Sequence, residues 1–184
     1  MKITETALKG VYLIEPKVFG DERGWFMESY SERDFEKAGI RANFVQDNHS
    51  FSKDKGTLRG LHYQLNPYSQ AKMLRCTRGE ILDVAVDVRK GSPNYAKWVS
   101  VRLSEKNHCA LFIPRGFLHG FITLTDNVEV EYKTDNFYEK TAEGGVLWND
   151  PEIGVNWEIE PKILSDKDKN ALPLSKHTDL NFEV

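Results

Sequence analysis

Among the side chains able to move a proton, His62, in the run GTLRGLHYQ from Gly56 to Gln64, has the surroundings of a catalytic base. Histidine titrates closest to neutral pH of all side chains, which suits general acid–base work. Proton transfer next to a carbonyl also needs an acid on the opposite side and a cation or donor where enolate charge develops. Tyr132, in NVEVEYKT, is the natural acid, because it shares a strand face with Val128 and Val130 and points with them toward an interior. A core tyrosine with a satisfied hydroxyl would show the same pattern. Lys72 and Arg59 are the candidate cations, although each taken singly also reads as a surface charge. Arg59 precedes His62 by three residues, which puts the two on opposite faces of a strand unless a bulge or turn at Gly60 intervenes. Asp168 is a candidate to hold the His62 imidazole in one tautomer and stabilise its protonated form. The long sequence separation does not show that they meet.

A metal is the competing use for such a histidine. The Gly56 to His62 spacing resembles the first cupin motif, but a metal-binding cupin places a second His two positions on and a Glu soon after, where this chain has Gln64 and no nearby acid. The run PRGFLHGF from Pro114 to Phe121 resembles the second motif, with Thr123 in the place of its Asn. His119 is then the only other candidate ligand of the pair of motifs. Two protein ligands fall short of the three or four usual in stable sites, so no metal is expected.

The elements that must carry these residues are mostly strands. In ILDVAVDVR, Leu82, Val84, Val86 and Val88 face one way and Asp83, Ala85, Asp87 and Arg89 the other, the pattern of a half-buried strand. Similar runs follow at Lys97 to Leu103, Ala110 to Ile113, Phe117 to Thr125 and Val128 to Thr134. Turn signals at Gly91-Ser92-Pro93, Pro114-Arg115-Gly116 and Asp126-Asn127 separate them. Many short strands at this spacing predict an all-β sandwich or barrel. A short helix is predicted over Ser31 to Ala38, with Ser31 and Asp34 as a capping-box pattern and Gly39 to end it. Ser165 can cap another through Asp168 and Lys169, limited by Pro173; from Leu174 the chain reads as a tail.

The 184 residues, 40% hydrophobic and 29% charged, fit one globular domain with an arm. No repeat or linker divides them. No apolar run approaches the roughly 18 residues of a membrane span, and the start MKITETALKG lacks the apolar core of a signal peptide, so the chain reads as cytoplasmic and not membrane-bound. Cys76 and Cys109 have no framework spacing and are expected to be buried free thiols. Net charge is −3 but uneven: residues 55–115 carry 11 basic and 4 acidic groups. A positive segment in a mildly acidic chain suits a compact anionic ligand such as a phosphorylated metabolite, whereas nucleic-acid binding favours a basic balance over the whole domain. A solvated face with scattered charges is the other reading.

From Lys9 to about Pro173 the chain resembles the dTDP-4-dehydrorhamnose 3,5-epimerase family. The runs that carry the resemblance are EPKVFGDERGWF from Glu15, FVQDNHS from Phe44, LRGLHYQ from Leu58, KWVSVRLS from Lys97, IPRGFLHGF from Ile113, YKTDNFY from Tyr132 and ILSDKD from Ile163. The resemblance implies a cupin-type jelly-roll barrel with a few short helices, working as an isomerase without metal or cofactor. It implies a single domain over 1–184, with an N-terminal arm about 1–30, a core about 40–150 and a C-terminal segment about 161–184. It puts the catalytic base on His62, its partner acid on Asp168 and the proton donor on Tyr132. Lys72 falls near the substrate's C4 keto oxygen, and His119 lines the same pocket. Arg23, Glu28, Gln46, Asn48, Arg59, Glu143 and Lys167 fall on positions that hold the nucleotide sugar, with Tyr138 stacked on the thymine. The arginines suit a diphosphate, since a guanidinium fork bonds two phosphate oxygens at once.

The implied substrate is dTDP-4-dehydro-6-deoxy-D-glucose, the implied reaction inversion at C3 and C5 in dTDP-L-rhamnose biosynthesis. The implied assembly is a homodimer in which an N-terminal segment reaches the other subunit's site, bringing Arg23 and Glu28. A relative that inverts only C3 or only C5, a metal-dependent cupin and a non-catalytic jelly roll that binds a nucleotide sugar are the alternatives.

Overall fold

The computed structural model describes residues 1–183. Val184, the last residue of the expected C-terminal segment, lies outside the described residues. In chain order the elements are β1 (Lys2–Glu5), β2 (Tyr12–Glu15), β3 (Val18–Asp21), β4 (Gly24–Met27), α1 (Glu32–Lys37), β5 (Gln46–Ser52), β6 (Leu58–Gln64) and β7 (Lys72–Arg78). They continue with β8 (Glu80–Asp87), β9 (Trp98–Ser104), β10 (Ala110–Ile113), β11 (Phe117–Thr123), β12 (Val128–Thr134), β13 (Glu143–Gly145) and α2 (Asp166–Lys169).

The strands form two antiparallel sheets, β1-β2-β10-β7-β12-β5 and β13-β6-β11-β8-β9, while β3 and β4 make a separate hairpin. Most neighbours are distant in sequence, so the chain passes repeatedly between the sheets, as in the expected cupin-type jelly roll. Between the sheets lie Leu74, Cys76, Leu111, Ile113, Val128 and Val130 from one and Ile81, Ala85, Phe117 and Phe121 from the other. The barrel closes where β9 approaches β7 and β10.

One strand differs from its sequence pattern. β8 is buried along both faces, including Asp83 and Asp87 at 0% exposure. Leu82, Val84, Val86 and Val88 pack outward against Leu118 and Ile122, under Trp157 and under Leu174, Leu180 and Phe182 of the C-terminal segment. The face that alternation assigns to solvent is the barrel interior. Alternation reports which residues share a face; only tertiary packing says what covers it. Asp87 is compensated locally by Arg89 at 2.6 Å and Ser92 at 2.7 Å, which also braces the Gly91-Ser92-Pro93 turn.

The segment beyond Pro173, read as a tail, belongs to this packing: Leu174, Leu180 and Phe182 are buried, and Lys90 donates its N–H to the Phe182 carbonyl. Burying side chains of this size contributes about 1.5–3 kcal/mol each. Ser31 caps α1 through the Asp34 N–H and Ser165 caps α2 through the Asp168 N–H. α1 lays Phe35 on the outside of the first sheet against Ile14, Met73 and Phe112. Both cysteines are free, but only Cys76 is buried; Cys109 is partly exposed near the start of β10. Among the described residues no helix is long and apolar enough to cross a membrane.

Candidate active site

The site starts from an irregularity in β6. Its pairing with β11 slips: His62 lies opposite His119, but Arg59 lies opposite Phe121, so β6 carries one extra residue. Leu61 and Tyr63 accordingly pack outward while Arg59 and His62 both line one cavity. Without the bulge the period of two would send them to opposite faces. Gly60 makes it feasible. Its φ is +124°, and a Cβ there would lie 2.6 Å from the Gly120 Cα and 2.7 Å from the His119 carbonyl oxygen.

The cavity, about 470 Å³, is walled by His62, Arg59, Lys72, His119, Phe121, Tyr132, Glu143, Lys167 and Asp168 among others. The His62 Nε2 lies 2.5 Å from Asp168 Oδ1, an approach spanning 106 residues. A carboxylate only accepts, so Nε2 carries the hydrogen and Nδ1 keeps the lone pair a base needs. Asp168 is 4% exposed. Burial disfavours its charge, but bonds from His62, Ser165 and the Gly60 N–H outweigh that and hold its carboxyl below the usual carboxylate range. Bulge and cap thus serve the same carboxylate.

His119 repeats the arrangement one strand away, with Nε2 2.7 Å from Asp83 Oδ1. Burial pushes the Asp83 carboxyl up, against the pull of His119 and Lys72. Lys72, at the start of β7, has its ammonium 5.8 Å from the centre of the Tyr132 ring. Burial lowers its pKa to about 8; Asp83 and Glu143 oppose the drop, and Lys167 adds to it. Tyr132 comes from the first sheet, opposite His62, and burial raises its hydroxyl, partly offset by Arg59. It therefore keeps its proton at neutral pH, as an acid must.

At the rim, the Lys167 Nζ lies 2.8 Å from Glu143 Oε1, and the exposed Tyr138 hydroxyl donates to Glu143 Oε2 at 3.2 Å. Partial burial works against the charge of Glu143, but Lys167 and Tyr138 hold its carboxyl below the usual range. Gln46 and Asn48 share the β5 face of Ser50, which lines the cavity, but do not line it themselves. Gln46 accepts the Tyr138 N–H and donates to Asn48. Arg59 is steadied by the Ser52 hydroxyl and the Phe51 carbonyl.

Five sequence candidates do not line the cavity: Gln46, Asn48 and Tyr138, tied to one another and to Glu143 at its rim, and two that lie elsewhere. Arg23 and Glu28 lie exposed in and after the β3–β4 hairpin, and Arg23 donates to both Asp21 oxygens, Nε to Oδ1 and Nη2 to Oδ2. Conversely, sequence reading missed Asp83, assigning it to a solvent face. The available signal was that its supposed polar face also carries Ala85, so that face is not uniformly polar.

The arrangement offers an oriented base, a protonated phenol from the opposite sheet and a half-buried cation in the same cavity, the parts needed to move protons beside a carbonyl. Comparison with known proteins agrees with this. The family described as dTDP-4-dehydrorhamnose 3,5-epimerase matches residues 5–176. A Shigella flexneri protein of that name is 55% identical over 185 aligned positions, covering all of both chains. The crystal structure of a Legionella pneumophila dTDP-6-deoxy-D-glucose-3,5-epimerase, in complex with dTDP-4-keto-L-rhamnose, superposes with a TM-score of 0.94 at 40% identity, covering 100% of this chain and 98% of that one. A Streptomyces bikiniensis 3'-monoepimerase in complex with dTDP-quinovose gives 0.85 at 35% identity, with 92% and 86% covered.

Proposed function

The chain belongs to the dTDP-4-dehydrorhamnose 3,5-epimerase family and is an isomerase of that kind, and from this premise we propose the part each side chain plays. The substrate is dTDP-4-dehydro-6-deoxy-D-glucose, whose C4 ketone acidifies the hydrogens on C3 and C5. His62 Nδ1 removes one of these protons and the C–H electron pair moves into the ring, placing negative charge on the C4 oxygen. Asp168 receives the growing imidazolium charge through Nε2–H. The Lys72 ammonium stabilises the enolate oxygen. Tyr132 delivers a proton to the opposite face at C5, and solvent restores the protons on Tyr132 and His62 to their starting state. The same cycle at C3 yields dTDP-4-dehydro-L-rhamnose. A positioned acid or base contributes about 10² to 10⁴ in rate and an oxyanion donor roughly 10² to 10³; orientation supplies much of the remainder.

The observation that carries this reading is the 2.5 Å His62–Asp168 contact lining one cavity with Tyr132 and Lys72. Around it, Arg59, Lys167, Gln46, Asn48, His119 and Glu143 hold the nucleotide sugar, with Tyr138 at the rim against the base. Arg23 and Glu28 serve a second subunit in a homodimer that exchanges N-terminal segments. What supports this is that neither lines its own chain's cavity, and that the hairpin exposes Phe19 at 51%, Trp25 at 60% and Phe26 at 66%. The chain acts as one domain in the cytoplasm, a placement that suits free thiols, with no nucleic-acid or membrane partner.

A proton NMR time course of the 4-keto substrate in deuterated water tests the roles. His62→Asn is expected to abolish deuterium entry at both carbons. Tyr132→Phe is expected to spare proton removal more than inversion at C5. Substantial exchange in the first variant, or unchanged C5 inversion in the second, assigns the role elsewhere; exchange at a single carbon in the wild type indicates a monoepimerase.

A further inference from the structure

Beneath the reacting groups lies a carboxylate to which the steps above give no role. Asp83 is completely buried on the interior face of β8, opposite Phe121 of β11 and two residues along β8 from Ala85, the residue across from His119. One oxygen is taken by the His119 Nε2 at 2.7 Å; the other, Oδ2, has no hydrogen-bond partner among the described residues. A buried carboxylate with half its acceptors unused is costly unless it answers a charge. The nearby charge it answers is the ammonium of Lys72, which lines the same cavity as the His119 ring that Asp83 holds.

We propose that Asp83 is a positioning residue for the epimerisation: its buried carboxylate fixes the tautomer of His119 and keeps Lys72 charged beside the enolate oxygen. The first part follows from donor and acceptor chemistry. A carboxylate cannot donate, so His119 presents Nε2–H to it and Nδ1 is the nitrogen left for the substrate. The second follows from enclosure. Lining the cavity with Lys72 are His62 and Arg59 on β6, His119 on β11, Tyr132 on β12, Glu143 on β13 and Lys167 and Asp168 on α2, with Asp83 on β8 behind His119. Of the carboxylates, Glu143 is committed to Lys167 at 2.8 Å, and Asp168 to His62. Asp83 is the one with an oxygen, Oδ2, that bonds to nothing among the described residues, and so the one free to act on Lys72. A half-buried lysine otherwise gives up its proton more readily, as desolvation penalises the charged form. A neutral amine in its place would leave the enolate oxygen without its cation.

The inference rests on the epimerase reading and deepens it. Asp83→Asn tests it, because the amide oxygen still accepts the His119 Nε2–H while the negative charge is lost. The measurement is kcat and KM for the 4-keto nucleotide sugar from pH 6 to 9.5, beside wild type. The alkaline limb of kcat is expected to move to lower pH, so that the deficit reaches about tenfold or more near pH 9 and narrows toward pH 6, with KM little changed. A deficit equal at every pH, or no deficit at pH 9, overturns the role with Lys72. If Asp83→Asn does not fold, the wild-type enzyme still decides the matter through nitrogen-15 NMR of its histidines. The expected signature is a protonated Nε2 on His119; a neutral ring protonated only on Nδ1 overturns the proposal. Failure of the wild type to epimerise at all would instead remove the epimerase reading.

Discussion

The bulge at Gly60 places both His62 and Arg59, so Gly60→Ala is the substitution that most directly probes how the site is built. The added Cβ would lie 2.6 Å from the Gly120 Cα, whereas ordinary contact begins near 3.4 Å. Since the neighbour is backbone, β6 and β11 must part by about 0.8 Å. The residue must also hold φ at +124°, which costs about 1–3 kcal/mol for a non-glycine residue. Overpacking adds about 1–3 kcal/mol. The combined loss of about 2–6 kcal/mol lowers Tm by roughly 4–24 °C for a chain of this size. A shift of nearly 1 Å in the base relative to Tyr132 and Lys72 costs on the order of 10² in kcat, because proton transfer depends steeply on near-attack geometry. Calorimetry gives the first quantity; deuterium exchange into substrate, run well below the variant's Tm, gives the second. A variant with wild-type Tm and kcat would refute the reasoning, and one with lowered Tm but full kcat would show that the bulge supports the fold without positioning the base.

Other predictions follow from single contacts. Asp168→Ala should cut kcat by about 10² to 10⁴, since the base loses both its tautomer partner and the charge that stabilises the imidazolium; a loss under fivefold would separate the pair from catalysis. The carboxyl of Asp168 titrates lower in the folded chain than its unfolded value, so its contribution to stability is present above the unfolded pKa and disappears as pH falls through the folded one. Acid unfolding of Asp168→Asn should therefore show a weaker pH dependence below about pH 4; an unchanged profile would contradict the shift. Wild-type kcat should decline as pH rises through about 8, as Lys72 gives up its proton, and a flat profile to pH 10 would exclude Lys72 as a required cation. Phe182→Ala should cost about 3–5 kcal/mol by opening a cavity against Tyr63 and the outer face of the second sheet; a loss under 1 kcal/mol would return the last residues to the status of a tail.

Much of this protein is legible in order along the chain. The positions of β8 to β12, the caps at Ser31 and Ser165 and the turn at Gly116 follow from periodicity and from residues whose local chemistry favours one conformation, and these depend on neighbours a few positions away; the strands of the first half of the chain are not legible in this way. The pair of residues His62 and Tyr132 is legible as types suited to proton transfer, and the sequence states openly that Arg59 needs an irregularity at Gly60 to join them. Only tertiary structure decides that the irregularity is there, because it depends on how β6 is paired with β11. The same holds for the 106-residue reach from His62 to Asp168, and for Asp83, whose side of β8 looks solvated by alternation and is buried because a second sheet closes over it. Period and capping are local properties of a chain. Which face becomes an interior, and which distant carboxylate meets which imidazole, is set by closure of the barrel.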